Sequence, residues 1–297
     1  MANKIGFLPN VQKTESTKRF RDAAARHGAV VMDLTEFEGD IMEGETTPHT
    51  VRTDLAGTCD VVYIRQGLHC LSYARAIEDL GVKVVPSSSA IELTGNKVKM
   101  LKALRDAGVP IPKTAFDDEC PSDWATVVRK AQQNKYVVKD STTAKGETVE
   151  LKEVQTLPPK FAYLPKYFGK PIVQEKLEIV EDFRAHMIGD AVFTYKRERQ
   201  DGAWKSNYQF LDSQYPVMTP PEIESICATL REKFGLEYCG VDIGKTADGK
   251  YIVFELNSMA AIPKYGLADY LVDYLMNVKV QERQPQEEPE IEEQEHE

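Results

Sequence analysis

The sequence has no block rich in lysine or arginine and no apolar run long enough to cross a membrane. Nucleic-acid binding needs a cationic surface that neutralises phosphates, so we expect no nucleic-acid partner. The apolar stretches at 28–34 and 59–64 fall far short of the ~20 residues that a membrane helix requires. The opening MANKIGFLP predicts a first β-strand rather than a signal peptide. We therefore expect a soluble, cytoplasmic protein without a membrane partner.

Cysteine is also scarce, and the sequence lacks the arrangements that make it reactive. No Cys-x-x-Cys pair and no zinc-type Cys/His spacing occurs among the five single cysteines, Cys59, Cys70, Cys120, Cys227 and Cys239. An odd number of scattered cysteines in a chain of this size indicates reduced thiols in the cytosol. No Ser–His–Asp or Cys–His set is identifiable either, so the sequence does not point to a nucleophilic hydrolase.

Negative charge is concentrated at one end of the chain. The 297 residues carry 37 Lys+Arg and 47 Asp+Glu, for a formal net charge of −10. Residues 281–297 hold eight glutamates and one arginine, or −7, which leaves only −3 for the other residues. This segment can bury little apolar surface, so we expect a disordered acidic tail. The rest, in a chain with 42% hydrophobic residues overall, has the composition of a globular protein of about two domains.

Strand and helix patterns alternate over the first 90 residues. A buried strand is predicted at 4–8, a helix at 14–27 and a second helix that ends at Gly81, with further strands between and after them. This alternation is typical of a small parallel α/β domain. The chain continues from the first strand as Pro9-Asn10-Val11 and not as Gly-x-Gly-x-x-Gly, which argues against a nicotinamide dehydrogenase.

The pattern then changes to antiparallel strands with a few helices. A helix is predicted over Asn96–Ala107, and the segments KYVVKD and TVELKE predict two strands around a flexible loop. Hairpin turns are predicted at Gly189-Asp190 and Asp248-Gly249. A helix is predicted between these hairpins, at 221–234, and a last amphipathic helix is predicted in ADYLVDYLMNV.

Three oxygen-bearing side chains on the second hairpin form the strongest local group. Glu255 and Asn257 are two residues apart on one strand and so point the same way, while Asp242 lies on the other arm. Such donors suit Mg²⁺ shared with nucleotide phosphates. The alternative is a pair of solvated surface acids, but the neighbouring residues are apolar, and acids buried without a cation would be costly.

Basic residues precede this hairpin at several strand ends. Lys139 leads into the loop 141–147, where an ammonium group and backbone N–H groups would cover phosphates, and Lys97 begins the preceding helix. Taken alone, each of these lysines is better explained as a surface residue. Charged residues also lie on consecutive strands, where arginines would clamp phosphoryl oxygens or, alternatively, form a solvated sheet face; they are Asp182, Arg184, Lys196 and Arg197.

The segment VQEKLE at 173–178 is an apolar strand that opens into a polar stretch. Such a hinge would present backbone groups to an adenine edge and the Glu178 carboxylate to a ribose. An ordinary amphipathic strand end gives the same pattern, and the residues alone leave both interpretations open.

Taken in order, these motifs resemble the ATP-grasp superfamily, most closely the RimK-type glutamate ligases and their lysine-biosynthesis and glutathione-synthetase-like relatives. The resemblance extends to about residue 278 and rests on VVPSSSAIELTGNKVKMLKALRDAGVPIPKT, YVVKDSTTAKGETVELKE, IVQEKLE, EDFR, WKSN, GVDI and FELNS. It implies an α/β (α+β) fold, in which a small parallel pre-ATP-grasp domain precedes a two-lobed nucleotide-binding fold. The implied divisions are 1–90, 91–172, 173–280 and the tail 281–297.

The resemblance also implies roles for individual residues. Catalytic roles fall on Arg184, Arg197 and Lys139, and metal binding falls on Asp242, Glu255 and Asn257. The implied nucleotide contacts are Lys97, Lys139, Gly146, Glu175, Lys176, Leu177, Glu178, Asp182, Lys205, Ser206 and Asn207. Three segments differ from the family pattern: the loop 141–147 keeps one glycine, YQFLD follows Asn207, and SMAAIPKYG follows Asn257.

The implied activity is ATP-dependent joining of a carboxylate to an amine through an acyl phosphate, with ATP and Mg²⁺, or Mn²⁺, as cofactors. The implied partners are a peptide, protein or small-molecule acceptor and an amine or amino acid such as glutamate; a homo-oligomer is left open. Two alternatives remain from the sequence, namely a kinase of the same fold and a catalytically inactive nucleotide-binding regulatory protein.

Overall fold

The computed structural model describes residues 3–9, 14–36, 50–116, 135–140, 149–153, 171–198, 214–264 and 266–278. The strands are β1 (Lys4–Leu8), β2 (Val30–Asp33), β3 (Thr35–Glu36), β4 (Thr50–Val51), β5 (Val61–Ile64), β6 (Lys83–Val85), β7 (Thr114–Phe116), β8 (Lys135–Asp140), β9 (Val149–Glu153), β10 (Pro171–Glu175), β11 (Ile179–Ile188), β12 (Ala191–Arg197), β13 (Gln214–Val217), β14 (Tyr238–Thr246) and β15 (Tyr251–Asn257). The helices are α1 (Glu15–Arg26), α2 (Thr53–Ala56), α3 (Leu71–Asp79), α4 (Ser88–Gly95), α5 (Lys97–Asp106), α6 (Pro221–Phe234) and α7 (Leu267–Asn277), with a 3₁₀ turn at Leu68–Cys70. Within these ranges no helix combines the length and apolar character that spanning a membrane would require.

Four of the first six strands form a parallel sheet in the order β2-β1-β5-β6, and β3 pairs separately with β4. Helix α1 connects β1 to β2 and is capped by Thr14, whose side chain accepts a hydrogen bond from the backbone N–H of Thr17. The chain then crosses to the other side of β1 to form β5. The direction of winding therefore reverses between β1 and β5, and ligands of open parallel sheets bind at the carboxyl ends of strands at such a point.

Two antiparallel sheets follow. The first has four strands in the order β7-β10-β8-β9, and β8 pairs with β9 from Lys139↔Val149 to Lys135↔Glu153. The second has five strands in the order β13-β12-β11-β14-β15. Residues 176–178 connect β10 of the first sheet to β11 of the second. The sequence prediction of a parallel domain followed by antiparallel sheets is therefore confirmed.

Alternation along β11 gives the five-stranded sheet one apolar and one charged face. Phe183, Ala185 and Met187 point into a core that also contains residues of α5 and α6. The residues between them, Asp182, Arg184 and His186, therefore lie on the opposite face. Helices cover the apolar face of this sheet, so its charged side chains lie on the other face.

The last helix belongs structurally with the beginning of the chain. Leu271 and Leu275 of α7 share a buried core with Phe7 and Phe20, whose ring centroids are 4.8 Å apart. Arg26 of α1 donates two hydrogen bonds to the carboxylate of Asp269 in α7. The same core contains Ile188 of β11 and Tyr238 of β14, so the N-terminal parallel sheet packs against the end of the five-stranded sheet. The four residue divisions drawn from the sequence stay a prediction.

Most predicted helices occur close to their expected bounds, and two were missed, the one-turn helix α2 and the longer helix α4. The sequence interpretation ended its alternating series near residue 89, whereas Ser88–Gly95 forms α4, capped by the side chain of Ser87. Its apolar residues Ala90, Ile91 and Leu93 face two different cores, which gave no simple periodic signal. The predicted loop 141–147, the segment around Asn207 and the tail 281–297 lie outside the described residues.

Candidate functional site

The two carboxylates of the hairpin face each other directly. Asp242 on β14 pairs with Glu255 on β15, and Gly240 pairs with Asn257. The register slips by one residue, because Ile243 pairs with Val253 and leaves Phe254 as a β-bulge. Val253 and Leu256 both point into the core, so the bulge is what turns Glu255 and Asn257 to the charged face.

Arginines from the neighbouring strands hold Asp242. Arg184 donates from Nε to Oδ1 at 2.5 Å and from Nη2 to Oδ2 at 2.9 Å. Arg197 Nη1 lies 2.9 Å from Asp242 Oδ1, and its Nε donates to Asp182 Oδ1 at 2.6 Å. Burial alone would raise the pKa of Asp242, but the two arginines outweigh burial and hold it below its usual range. The result is a buried network of two acids and two arginines.

The pKa of Glu255 is shifted in the direction opposite to that of Asp242. Its burial and, secondly, the negative charge of Asp242 raise the pKa of the Glu255 carboxyl, while Lys97, Lys139 and Arg184 act to lower it. A carboxylate in this state has a negative charge that the surrounding protein does not fully compensate. Added positive charge at this point would therefore be stabilising.

Lys139 reaches the same point from the other antiparallel sheet. Its ammonium nitrogen lies 5.9 Å from the centroid of the Phe254 ring. The pKa of Lys139 is lowered to about 8, chiefly by burial and also by the positive charge of Lys97, although Glu255 and Asp242 act to raise it. Lys97 is the first residue of α5. The structure thus brings both predicted lysines within electrostatic reach of Glu255.

The predicted nucleotide hinge at 173–178 is held by hydrogen bonds to backbone groups. The Glu175 carboxylate accepts a hydrogen bond from the backbone N–H of Lys113 at 2.8 Å, and its own N–H donates to the Lys113 carbonyl at 3.0 Å. Lys176 Nζ donates to the carbonyl of Leu177 at 2.7 Å, and Glu178 is exposed. These contacts fix the short connection between the two antiparallel sheets.

Sequence reasoning missed two residues on the charged face. Gly240 lies beneath Arg184, since a Cβ there would be 3.0 Å from Arg184 Nη1 and 2.5 Å from the Cβ of Ala260. His186 is buried, and within the described part of the chain neither of its ring nitrogens has a hydrogen-bond partner. A polar residue at every second position from 182 to 186 was the signal for His186; Gly240 gave none.

The donor set fits a divalent cation. Among the described residues no group of three His, Cys, Asp or Glu side chains could hold a metal ion, so the predicted set of Asp242, Glu255 and Asn257 depends on Asn257 for its third donor. The Asn257 Oδ1 accepts a hydrogen bond from the backbone N–H of Met259 at 2.8 Å, which orients the amide. These are hard oxygen donors of the kind Mg²⁺ prefers, and the raised pKa of Glu255 is the mark of a site short of positive charge. Four further predicted residues, Gly146, Lys205, Ser206 and Asn207, lie outside the described part of the chain.

Two curated proteins are similar to this chain over most of its length. A protein named "Probable alpha-L-glutamate ligase" from Photobacterium profundum is 28% identical over 290 residues, which cover 92% of this chain and 95% of that protein. A protein of the same name from Thioalkalivibrio sulfidiphilus is 28% identical over 267 residues, covering 86% of this chain and 87% of that protein.

Solved structures share the fold. D-cycloserine synthetase DcsG superimposes with a TM-score of 0.67 at 14% identity, covering 92% of this chain and 99% of that chain. A RiPP-associated ATP-grasp ligase from Chryseobacterium gregarium, in complex with ADP and a leader and core peptide, has a TM-score of 0.66 at 15% identity, with coverage of 92% and 96%.

The family comparison is the decisive one. The sequence model of the RimK-like ATP-grasp domain matches residues 94–268, which is more than half of the chain and includes both antiparallel sheets. The chain therefore belongs to the RimK-like ATP-grasp family and is an ATP-dependent ligase.

Proposed function

We propose that this ligase joins a substrate carboxylate to an amine in two steps. The carboxylate oxygen attacks the γ-phosphorus of ATP and ADP leaves, which gives an acyl phosphate. The amine nitrogen then attacks the acyl carbon, phosphate leaves with the bonding electrons of the C–O bond, and the amine loses a proton as the amide forms. The observation that supports this proposal most directly is the buried network of Arg184, Arg197 and Asp242 beside the Glu255 carboxylate.

The residues of the network act by positioning and charge. Arg184 and Arg197 would hold the oxygens of the acyl phosphate, and their bonds to Asp242 fix both guanidinium groups before substrate arrives. Lys139 and Lys97 would draw off charge from the ATP phosphates. Asp242, Glu255 and Asn257 would hold Mg²⁺, or Mn²⁺, which when bound supplies charge neutralisation at the phosphate oxygens.

The proposed nucleotide position uses the connection between the two antiparallel sheets. Backbone groups at Glu175, Lys176 and Leu177 would contact the adenine, and Glu178, which is exposed, would contact the ribose. Asp182 would act through Arg197, to which it is hydrogen-bonded. Gly146, Lys205, Ser206 and Asn207 keep the nucleotide roles that the resemblance implies.

We propose an amino acid as the amine and a peptide, protein or small molecule as the carboxylate acceptor. Glutamate is the first candidate amino acid, because the relatives with 28% identity over most of the chain are named glutamate ligases. The neighbouring structure with a bound leader and core peptide supports a peptide acceptor. We further propose a cytoplasmic location, supported by buried free thiols at Cys59, Cys70, Cys227 and Cys239.

The experiment is ADP release against a matrix of amino acids and short peptides, with products identified by mass spectrometry. The proposal predicts ADP formation that depends on both an acceptor and an amine, with a product heavier by one amino-acid residue. ADP formation with a phosphorylated acceptor and no amine requirement would identify a kinase. ATP binding without ADP formation across the whole matrix would identify an inactive nucleotide-binding protein.

A further inference from the structure

Arg65 lies at the point where the winding of the parallel sheet reverses. It follows β5 directly, and its backbone N–H donates to the carbonyl of Leu8 at the carboxyl end of β1. The adjacent carboxyl ends of β1 and β5 form the crevice where open parallel sheets bind ligands. The mechanism proposed above uses none of the residues of this crevice.

Among the described residues, the buried Arg65 side chain has no counter-charge. Only 5% of the residue is exposed, and within the same ranges neither Nε nor Nη1 has a hydrogen-bond partner. A guanidinium group keeps its charge in a protein, so it cannot avoid this burial by losing a proton. Burying a charge without a partner is costly, and folded proteins normally pair such a group. A charge left unpaired among the described residues indicates that a ligand supplies the partner.

Hydrogen bonds of the neighbouring Gln66 side chain hold the segment around Arg65 in place. Gln66 is 2% exposed, and its amide donates to the carbonyl of Pro9 at 2.7 Å. The carbonyl oxygen of the same side chain accepts from the thiol of Cys70 and lies 3.2 Å from His69 Nε2. Both ends of the Gln66 amide are therefore used in joining the β1 and β5 loops. Arg65, in contrast, keeps donors without a partner in the described part of the chain.

Two structural connections join Arg65 to the ligase site. The Tyr63 hydroxyl donates to the Tyr238 hydroxyl at 3.0 Å, and the latter donates to the Ala260 carbonyl at 3.4 Å. Burial raises the pKa of Tyr238, while the positive charges of Arg65 and Arg184 both act to lower it, so both guanidinium groups lie within electrostatic range of this tyrosine. The other connection runs through Gly67, where a Cβ would lie 3.3 Å from the terminal methyl group of Met259, two residues after Asn257.

We propose that Arg65 binds a carboxylate of a substrate that does not itself react. A planar guanidinium matches a carboxylate in geometry, and the proposed substrates, amino acids and peptides, carry such groups. The reacting carboxylate and the phosphates would occupy Arg184 and Arg197, so Arg65 would hold the second end of a substrate. This assignment rests on the proposed function. The carboxylate comes either from the incoming amino acid or from the acceptor.

The first measurement is the thermal unfolding of the free protein with Arg65→Met. Removing a buried charge that has no partner leaves the unfolding midpoint unchanged or raises it by a few degrees. Arg75→Met is the matched control, because Arg75 in α3 is exposed and its guanidinium lies 2.8 Å from the Glu92 carboxylate. A fall in the midpoint of Arg65→Met well beyond that of the control would show a structural ion pair and overturn the proposal.

The second measurement is the shift of the midpoint on adding each of the twenty L-amino acids or its α-carboxamide, and a set of peptides with free or amidated C-termini. At constant ionic strength, we expect at least one free acid to stabilise the wild-type protein more than its amide does. This difference should disappear in Arg65→Met and be intermediate in Arg65→Lys, which keeps the charge but not the planar fork. Equal shifts for acid and amide, or a difference that survives in Arg65→Met, would overturn the proposal.

Turnover then identifies the source of the carboxylate. In the ADP-release assay we expect Arg65→Met to raise one KM by about 10- to 100-fold, the loss of a charge-assisted contact, while kcat changes much less. An increase for the amine places the amino-acid carboxylate at Arg65, and an increase for the acceptor places the acceptor there. Acid-specific, Arg65-dependent shifts without any ADP release would refute the ligase proposal and leave the carboxylate site standing. Ligase activity with no change in either KM would do the reverse.

Discussion

Arg184 binds both oxygens of Asp242 side-on, with Nε 2.5 Å from Oδ1 and Nη2 2.9 Å from Oδ2. Arg197 lies on the same carboxylate, so Asp242 organises two guanidinium groups in addition to any metal it binds. Replacing Asp242 would leave two buried arginines without a main partner, an expected loss of about 3–5 kcal/mol in unfolding free energy. Substitutions at Asp242 would therefore change stability and function together, whereas those at its neighbours separate the two.

Glu255→Gln should abolish turnover without weakening the fold. The change removes a negative charge that faces Asp242, whose repulsion together with burial raises the pKa of Glu255. We expect the unfolding free energy to stay the same or rise. ADP formation should fall by about 100-fold or more, because the loss of one group that stabilises the charge of the transition state typically costs this much. Asp248→Asn, in the exposed turn of the same hairpin, is the control. Near-normal ADP formation by Glu255→Gln at modest Mg²⁺ would refute the metal assignment.

Gly240→Ala should displace Arg184. The new Cβ would lie 2.5 Å from the Cβ of Ala260, which cannot rotate away, and 3.0 Å from Arg184 Nη1. We expect a loss of about 1–3 kcal/mol in unfolding free energy and a much larger proportional loss in ADP formation. Gly57→Ala is the matched control, because its nearest contact would be a carbonyl oxygen at 3.7 Å. Equal activities of the two variants would show that the position of Arg184 is unimportant.

Lys139 should make ATP binding depend on pH above neutrality. Its pKa in the free protein is lowered to about 8, first by burial, so the ammonium charge is present below pH 8 and lost above it. We expect the Kd for ATP to rise between pH 8 and 9, and the increase cannot exceed about tenfold per pH unit, because one proton is lost. Lys139→Met should bind ATP weakly with little pH dependence in this range, while Lys250→Met, on the exposed hairpin turn, should behave as wild type. An identical pH profile for Lys139→Met and wild type would contradict the assignment.

His186 should lower the stability of the fold in acid. Burial and, secondly, the positive charge of Arg184 lower the pKa of His186 to about 3, whereas a histidine in the unfolded chain titrates near ~6.5. Between these values the unfolded chain binds the extra proton, so unfolding free energy falls as pH drops from ~6.5 towards 3, by up to about 1.4 kcal/mol per pH unit. His186→Leu should remove this component and leave stability at pH 7.5 within about 1 kcal/mol of wild type. The surface variant His27→Gln is the control; parallel acid profiles for wild type and His186→Leu would contradict this prediction.

The sequence predicted the fold well where periodicity was clear, and less well where the backbone departed from it. Strict alternation from Val253 would have placed Glu255 in the core, and only the bulge at Phe254 turns it to face Asp242 across the hairpin. The sequence interpretation grouped Asp242 with Glu255 by their place on the hairpin, and the bulge itself left no signal in the residue pattern.

Long-range partners could not be predicted from the sequence. That Arg184 and Arg197 share Asp242 depends on the order of β12, β11 and β14 in the sheet, which spacing along the chain does not specify. Arg65 gave no motif at all, because its distinction is burial without a partner among the described residues at the reversal between β1 and β5. Such features become visible only when the packing of separate segments is known.

The acyl phosphate is the central claim, and an oxygen-transfer measurement tests it most directly. The acceptor that supports ADP release is labelled with ¹⁸O in its reacting carboxylate, and the phosphate released with the amide product is examined by mass spectrometry. Attack of the carboxylate on the γ-phosphate predicts one ¹⁸O atom in each phosphate, because the oxygen that bonds to phosphorus leaves with it. Phosphate that carries no ¹⁸O while the amide forms would show that the carboxylate is never phosphorylated and would contradict the account.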